Sequence, residues 1–519
     1  MKDQENGRPD SATAANPRAG RHPSASRRSI GLLVGLAAFA IMLLMDPPGG
    51  MPVKAWHAAA VGMLMAVWWV LEAIPISATA LVPIALFPVL GIQSVKSATA
   101  PYANPLIFLF LGGFMIALAM ERWNLHRRIA LNILKIVGSN PGALVGGFMV
   151  ATAFLSMWVS NTATATMMLP IGLSVVGLVT GGGLPGQGEG RGERFTPALL
   201  LGIAYAASIG GLGTLIGTPP NALLAGYFAE TYGVEVGFAK WMMMAVPLEI
   251  AMLFIAWFVL TRIMFPIRAQ ELTGVDTMIS EEIRDLGPIS RGEKIIATIF
   301  VVTAVLWILR PLIDKWLPGM HISDTGIAVV AALVIFVIPV EPRNRVFLLD
   351  WTATQKLPWG VLLLFGGGLS LGAAINETGL SHWIAEAMSG ASGWPTLVLI
   401  LAVVAVVMTI SHMTSNTATA AAFLPLTAAL AVSLGENPLL LSIPMVLAAS
   451  CVFMMPVATP PNAIVFASGE LTVPQMARAG FLINVLALVL ILLVAYTLME
   501  MAFGIQTGVV PGWAAAPAG

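Results

Sequence analysis

The tripeptide Ser-Asn-Thr occurs twice, at residues 160–162 and 415–417, each time in the middle of an apolar stretch. The surroundings agree as well, since SNTATATMMLP starts at 160 and SNTATAAAFLP starts at 415. Hydroxyl and amide groups are costly in hydrocarbon unless polar partners satisfy them. Two matched clusters, one in each half of the chain, predict one central site built by two repeats.

A second motif, Thr-Pro-Pro-Asn, also occurs twice, in GTPPNA at 217–222 and in ATPPNA at 458–463. Consecutive prolines break a helix because they remove backbone donors and clash with the preceding turn. The freed carbonyl oxygens suit Na⁺, and the positive N-terminus of the next half-helix suits an anion. A plain proline kink is the alternative for one copy. Two copies, each paired with a Ser-Asn-Thr, favour a binding site.

Ser156 and Ser411 each lie four residues before the serine of a Ser-Asn-Thr motif, so at helical spacing they share its face. Hydroxyl, amide and carbonyl oxygens together form a plausible cage for an alkali cation. Lys and Arg are absent from residues 141–179 and 395–434 and from both Thr-Pro-Pro-Asn motifs. An anion must then be held by hydroxyls, amide donors and helix ends. A bound cation would supply the charge that these dipoles lack, which predicts cation-coupled transport.

Two other intramembrane polar residues have open roles. Glu249 could carry a proton, although a satisfied structural carboxylate is the favoured interpretation. His412 lies beside the second motif and could titrate or serve a structural role. Ser411, His412 and Ser415 do not form a convincing hydrolase site because no acid partner and no G-x-S-x-G elbow accompany them. The sequence therefore predicts a protein that is not an enzyme.

The composition places the chain in a membrane. Of its 519 residues, 57% are hydrophobic and 10% are charged, and the mean hydropathy is +0.87, whereas a soluble domain has about 25% charged residues. The formal net charge is zero, and no nucleic-acid partner is expected. Cys451 is the single cysteine, which excludes an internal disulfide. Residues 1–28 are predicted to be a disordered cytoplasmic tail.

Eleven apolar segments are predicted to cross the bilayer, which requires about 20 residues per helix. The first is expected to be a retained helix and not a cleaved signal peptide. Residues 141–179 and 395–434 are too long for one span, and each is predicted to form a re-entrant hairpin with Ser-Asn-Thr at its tip. Two ordinary spans joined by a short loop are the alternative. The eleven predicted spans are 29–45, 55–74, 76–92, 104–120, 195–229, 239–265, 295–314, 324–340, 358–375, 437–468 and 475–503.

The distribution of basic residues supports this topology. With a cytoplasmic N-terminus and two returning hairpins, 21 of the 26 Lys and Arg residues lie on the cytoplasmic side. A single crossing by either hairpin would invert everything after it and abolish the bias. The charge pattern thus predicts a multi-pass plasma-membrane protein with a cytoplasmic N-terminus.

An internal repeat covers most of the chain. Residues 110–130 align with 365–385 at an offset of 255, the same offset that separates the Ser-Asn-Thr motifs. The Thr-Pro-Pro-Asn motifs are 241 apart, and the Gly-rich insertion at 181–194 accounts for the difference of 14. Five crossings separate the hairpins, and because five is odd the hairpins enter from opposite faces. This is an inverted-topology repeat, the plan of many secondary transporters.

The chain closely resembles the divalent-anion/sodium symporter family, the carriers of di- and tricarboxylates and sulfate. The resemblance rests on both pairs of motifs, on ERWNLHRRIA at 121–130 and on SCVFMMPVATPPNAIV at 450–465. It implies a homodimer of protomers that each have a scaffold and a moving transport domain, an elevator mechanism, and Na⁺ as the coupling ion. The implied divisions are a tail (1–28), scaffold parts (29–136 and 295–390), transport parts (141–265 and 395–503), a cytoplasmic linker (266–294) and an extracytoplasmic tail (504–519).

The resemblance also implies two sodium sites and one substrate site. The first sodium site comprises Ser156, Ser160, Asn161 and Gly217, and the second comprises Ser411, Thr414, Asn416 and Ala458. The substrate carboxylates are expected at Asn161, Thr162, Thr218, Ser415, Asn416, Thr417, Thr459 and Pro460.

The family often has an acidic residue where this chain has His412 and a small residue where it has Thr414, which bears on the selectivity of the second sodium site. The leading hypothesis is sodium-coupled symport of a C4-dicarboxylate such as succinate, malate or fumarate. A sodium-independent dicarboxylate exchanger and a sulfate or citrate carrier are the alternatives.

Overall fold

A computed structural model describes residues 25–181, 192–267, 272, 274–316, 319, 322–387 and 394–514. The predicted tail at 1–28 lies outside this part up to residue 24, and so do residues 182–191 of the Gly-rich insertion. Within the described residues the regular structure is helical apart from a small antiparallel pair, β1 (Pro339–Glu341) and β2 (Val346–Phe347).

The first half of the chain forms thirteen α-helices within the described residues. They are α1 (Ala25–Leu44), α2 (Val53–Leu71), α3 (Ile76–Thr79), α4 (Val82–Val89), α5 (Val95–Thr99), α6 (Pro105–Arg122), α7 (Leu125–Val137), α8 (Pro141–Ser156), α9 (Asn161–Gly181), α10 (Gly192–Gly210), α11 (Pro219–Tyr232), α12 (Phe238–Phe258) and α13 (Val275–Asp285). A π-helical turn, Val259–Met264, extends α12.

The second half forms ten more α-helices in the described part of the chain. They are α14 (Arg291–Trp316), α15 (Asp324–Val337), α16 (Trp359–Glu377), α17 (Leu380–Ala387), α18 (Thr396–Ser411), α19 (Asn416–Ser433), α20 (Pro438–Ser450), α21 (Pro460–Phe466), α22 (Val473–Tyr496) and α23 (Leu498–Phe503). Short 3₁₀ helices occur at Ala100–Ala103, Pro342–Asn344 and Trp351–Lys356.

Eight helices in the described residues are long and apolar enough to cross a membrane, and six further apolar helices are shorter. The protein is therefore a multi-pass membrane protein. The predicted span at 76–92 is interrupted, because α3 ends at Thr79 and α4 starts at Val82 with Pro83 in its first turn.

Both Ser-Asn-Thr motifs lie where one helix ends and the next begins. Residues 157–160 join α8 to α9, and residues 412–415 join α18 to α19. Within each pair the two helices pack against each other. Helix pairs with polar tips are thus confirmed. Because α9 and α19 are each long enough to span on their own, the re-entrant path through the bilayer stays a prediction.

Both Thr-Pro-Pro-Asn motifs interrupt a helix. Residues 211–218 separate α10 from α11, and residues 451–459 separate α20 from α21. In each copy the two prolines are the first two residues of the new helix. Proline is tolerated there because those backbone N–H groups have no partner within the helix. The predicted helix breaks are confirmed.

The internal repeat is visible in close helix packing. A Cβ atom on Gly112 of α6 would lie 2.7 Å from the backbone oxygen of Ala328 in α15. The residue 255 positions later, Gly367 of α16, lies as tightly against the backbone of Ala80. Both glycines allow a backbone-to-backbone approach that any larger residue would prevent.

Packing between the repeats brings the motifs together. α8 packs on α10, and α18 and α19 pack on α20, within each repeat. Across the repeats, α9 and α10 pack on α21, while α11 packs on α19 and α20. Each helix break therefore lies beside the opposite repeat, and both breaks and both tips converge.

Candidate functional site

The convergence creates a cavity of about 850 Å³. The first residues of four helices, α9, α11, α19 and α21, line it. Helix N-termini carry partial positive charge. Ser415, the N-cap of α19, makes no side-chain capping bond, so the first N–H groups of that helix remain for a ligand.

The cavity contains most of the predicted site. Twelve of the fourteen predicted residues line it: Ser160, Asn161, Thr162, Gly217, Thr218, Thr414, Ser415, Asn416, Thr417, Ala458, Thr459 and Pro460. The other two, Ser156 and Ser411, are fully buried beneath it. Each contacts the site through an asparagine side chain, Ser156 through Asn161 and Ser411 through Asn416.

In the first repeat, several oxygen atoms surround the side chain of Asn161. Its Oδ1 atom lies 2.7 Å from Ser156 Oγ, 3.2 Å from the Ala207 carbonyl oxygen and 3.3 Å from that of Gly217. Ser156 Oγ also lies 2.7 Å from the Ala207 oxygen. Carbonyl oxygens facing one another repel unless the amide turns over to donate its N–H, or a cation lies between them. The donor set suits Na⁺, which prefers neutral and charged oxygen ligands.

In the second repeat, the buried serine contacts the motif asparagine and a backbone carbonyl oxygen in the same way. Ser411 Oγ lies 3.1 Å from Asn416 Oδ1 and 2.7 Å from the Ala449 carbonyl oxygen, to one of which it donates. The hydroxyl of Thr414 contacts Thr419 Oγ1 at 2.6 Å and the Ile410 oxygen at 3.1 Å. This hydroxyl bonds within the hairpin, and its remaining lone pair and the backbone carbonyl of Thr414 are the groups that a cation could contact.

The asparagines of the Thr-Pro-Pro-Asn motifs have a function that the sequence reasoning missed. Asn221 Nδ2 donates to the carbonyl oxygens of Gly211, Leu212 and Thr214 at 3.1, 3.3 and 2.8 Å. Asn462 Nδ2 donates to the oxygens of Val452 and Met455 at 3.4 and 3.1 Å.

The acceptors of Asn462 lie 241 residues after those of Asn221, the offset of the motif itself. The repeat of the motif asparagine at the same offset of 241 residues was the sequence signal that could have identified Asn221 and Asn462. Each side chain holds an unwound segment in the shape that presents Gly217 or Ala458 to the cavity.

His412 links the second hairpin tip to α22. Its Nδ1 atom lies 2.6 Å from the Met408 carbonyl oxygen, and its Nε2 atom lies 3.2 Å from Asn484 Nδ2. A carbonyl oxygen requires a donor and an amide nitrogen requires an acceptor, so the ring is the neutral Nδ1–H tautomer. The structural role considered for His412 is the one that these contacts support.

Three charged residues also belong to the cavity lining. Glu72, Glu121 and Lys356 belong to the elements packed around the motifs rather than to the motifs. Lys356 is the single basic residue among the described lining residues. Glu72 has a left-handed backbone conformation with φ of 49°. None of the three was predicted as a site residue, because they lie outside the Ser-Asn-Thr and Thr-Pro-Pro-Asn motifs.

The arrangement defines a class of protein. Two broken helices and two hairpin tips contribute uncharged polar motif residues to one cavity inside a multi-pass helical protein, which is the construction of a secondary transporter. The chain belongs to the sodium:sulfate symporter family, whose model, described as the sodium:sulfate symporter transmembrane region, matches residues 26–504.

The chain is similar to sodium-dependent dicarboxylate transporters named SdcS from Staphylococcus aureus. It is 41% identical to that of strain USA300 and 42% identical to that of strain MSSA476, in each case over 94% of both chains. These relatives, like the family, are transporters and not enzymes.

Two solved structures share the fold at low sequence identity. They are Neisseria gonorrhoeae MtrF, with a TM-score of 0.56 and 14% identity over 88% of this chain and 96% of that one, and the Alcanivorax borkumensis YdaH transporter, with a TM-score of 0.56 and 16% identity over 87% and 99%.

Proposed function

We propose that this protein carries a C4-dicarboxylate, such as succinate, malate or fumarate, across the membrane by symport with Na⁺. The observation on which the proposal rests is the pairing of two oxygen cages, around Asn161 and Asn416, with helix N-termini in one cavity. The SdcS relatives, named as sodium-dependent dicarboxylate transporters, support the same substrate and ion.

Each repeat is assigned one sodium ion and one carboxylate. Ser156, Ser160, Asn161 and Gly217 hold the first sodium ion, and Ser411, Thr414, Asn416 and Ala458 hold the second. The carboxylates meet Asn161, Thr162 and Thr218 on one side and Ser415, Asn416, Thr417, Thr459 and Pro460 on the other. The bound cations offset the negative charge that neutral donors alone would hold weakly.

Transport by an elevator movement of residues 141–265 and 395–503 against residues 29–136 and 295–390 fits the packing, because the hairpins and broken helices pack on one another across the repeats. An ion pair joins the two parts, with Arg310 contacting Glu235 Oε1 at 2.6 Å. The Arg310 guanidinium lowers the pKa of Glu235, so this pair stays ionised at neutral pH. When the transport part moves, this ion pair must either break or move together with it.

We also propose how the protein assembles and where it is located. The protein is a homodimer in the bacterial inner membrane, with eleven crossings, two re-entrant hairpins and a cytoplasmic N-terminus. The support is the family relationship together with the bias of basic residues towards one side.

Uptake of labelled succinate into proteoliposomes tests the function. We expect uptake to require an inward Na⁺ gradient and to be inhibited by unlabelled malate and fumarate. Equal uptake in choline buffer would contradict symport. Uptake that requires internal dicarboxylate instead would identify an exchanger, and inhibition by sulfate or citrate but not by malate would identify one of those anions as the substrate.

A further inference from the structure

Glu249 is a buried carboxyl group that the proposed transport mechanism does not use. It is the twelfth residue of α12 and is 4% exposed. Its Oε2 atom has no hydrogen-bond partner among the described residues. A Cβ atom on Gly213 would collide with Oε2, so the carboxyl lies directly against the unwound segment between α10 and α11.

No counter-charge in the described residues accompanies this carboxyl. The helices α8, α10, α14, α22 and α23 pack against α12, and none of their charged or titratable side chains pairs with Glu249. A buried charge with no partner is far more costly than a buried neutral group. The titratable groups on these elements and on the extended α12 are Glu193, Arg194, Tyr205, Lys240, Arg262, Arg291, Glu293, Lys294, Arg310, Asp314, Lys315, Arg478, Tyr496 and Glu500.

The second repeat shows what a neutral group does at the equivalent position. Asn484 is the twelfth residue of α22. Its Nδ2 atom donates to the Cys451 carbonyl oxygen at 3.2 Å, and its Oδ1 atom accepts from the Phe453 N–H at 3.2 Å. A protonated carboxyl group offers the same pair of functions, one donor and one acceptor, whereas a carboxylate only accepts. Glu249 can therefore offer the donor and the acceptor that Asn484 offers only when its carboxyl group carries a proton.

The segment that Glu249 contacts leads directly to the first oxygen cage. A Cβ atom on Gly211 would lie 2.6 Å from Asn161 Oδ1, and one on Gly217 would lie 2.6 Å from the Gly211 carbonyl oxygen. Gly211, Gly213 and Gly217 are all fully or almost fully buried. A charge at Glu249 thus acts on the cage across a short, water-excluded stretch of backbone, where electrostatic interactions are strong.

We propose that Glu249 is a proton-binding site that opposes sodium binding at the cage around Asn161. Ionised Glu249 adds a negative charge next to the cage and raises its affinity for Na⁺, whereas protonated Glu249 removes that charge. By reciprocity, binding of Na⁺ promotes release of the proton. The inference rests on the proposed function, because it takes that cage to be a sodium site.

The Na⁺ concentration for half-maximal uptake, measured at acidic and alkaline pH with a dicarboxylate that stays doubly ionised, tests the proposal. In the wild-type protein we expect it to rise roughly fivefold or more as the pH falls, as typical coupling energies predict. In Glu249→Gln it should be independent of pH. The matched control, Glu500→Gln at an exposed site on α23, should keep the wild-type pH dependence. A wild-type pH dependence in Glu249→Gln would overturn the proposal.

A second measurement needs no variant and covers the case in which Glu249→Gln does not fold. Adding Na⁺ to the purified wild-type protein in weakly buffered detergent solution should release protons, whereas adding K⁺ should not. Sodium-dependent uptake with no proton release overturns this inference and leaves the proposed function intact. Sodium-independent uptake by the wild type overturns the proposed function itself.

Discussion

At the residue scale, two asparagines connect the buried serines to the cavity. Asn161 and Asn416 each have an exposed side towards the cavity and a buried side towards Ser156 or Ser411. The motif spacing predicted that each buried serine shares a helix face with the serine four residues later, whereas the observed partner is the asparagine five residues later. The carbonyl oxygens of Ala207 and Ala449 that complete each cage lie on other helices, so no local spacing could indicate them.

Asn161→Ala and Asn416→Ala should each abolish sodium-dependent uptake, because each removes a cage oxygen and an anion-binding amide together. Dimer assembly, measured by size-exclusion chromatography, should not change. The control is Asn344→Ala, which removes an exposed asparagine bonded to Glu341 and should leave uptake at the wild-type rate. Wild-type uptake in either cavity variant would refute the site assignment.

At the element scale, the helix breaks are built from proline and stabilised by asparagine. The prolines end the helix by removing donors, which the sequence indicated directly. The shape of the unwound segments depends instead on buried hydrogen bonds from Asn221 and Asn462 to carbonyl oxygens within those segments. A kinked helix and a helix interrupted by a rigid, open loop can have the same prolines in the sequence. Only the positions of the backbone carbonyl oxygens distinguish the two structures.

Asn221→Ala should lower the free energy of unfolding by about 2–4 kcal/mol, because it removes the donor to the buried carbonyl oxygens of Gly211 and Thr214. Asn221→Asp should lower it further, since a carboxylate would face those same oxygens. Thermal unfolding in detergent, followed by intrinsic fluorescence, measures both effects. Asn344→Ala again serves as the control, and an unchanged midpoint in Asn221→Asp would show that this side chain does not hold the loop.

At the scale of the whole molecule, the charged residues of the cavity lining indicate which side is open. Glu121 and Lys356 belong to the cavity lining, and the bias of basic residues assigns Lys356 and the segment that follows Glu121 to the cytoplasmic side. The described conformation is therefore expected to open inward. In that conformation the exposed hydroxyl of Thr162 is accessible through the cavity.

A cysteine at Thr162 should react with a membrane-impermeant maleimide in inside-out vesicles, and much more slowly in right-side-out vesicles. Added Na⁺ and succinate should slow the reaction by occupying the cavity. Ser208→Cys, a position that is 2% exposed, is the unreactive control, and the buried native Cys451 can remain. Faster reaction in right-side-out vesicles would reverse the assigned orientation.

The sequence by itself determined the membrane class, the two motifs, the repeat offsets and the residues that occupy the cavity. Those features follow from composition, from proline chemistry and from periodicity, all of which are local properties of the chain. Only the tertiary structure decided which distant groups meet them: the carbonyls of Ala207 and Ala449, the presence of Lys356 in the cavity lining, and the contact of Glu249 with one helix break where Asn484 contacts the other. The contacts of Ala207, Ala449, Glu249 and Asn484 depend on how the helices within each repeat pack on one another, because they join residues that lie on different helices.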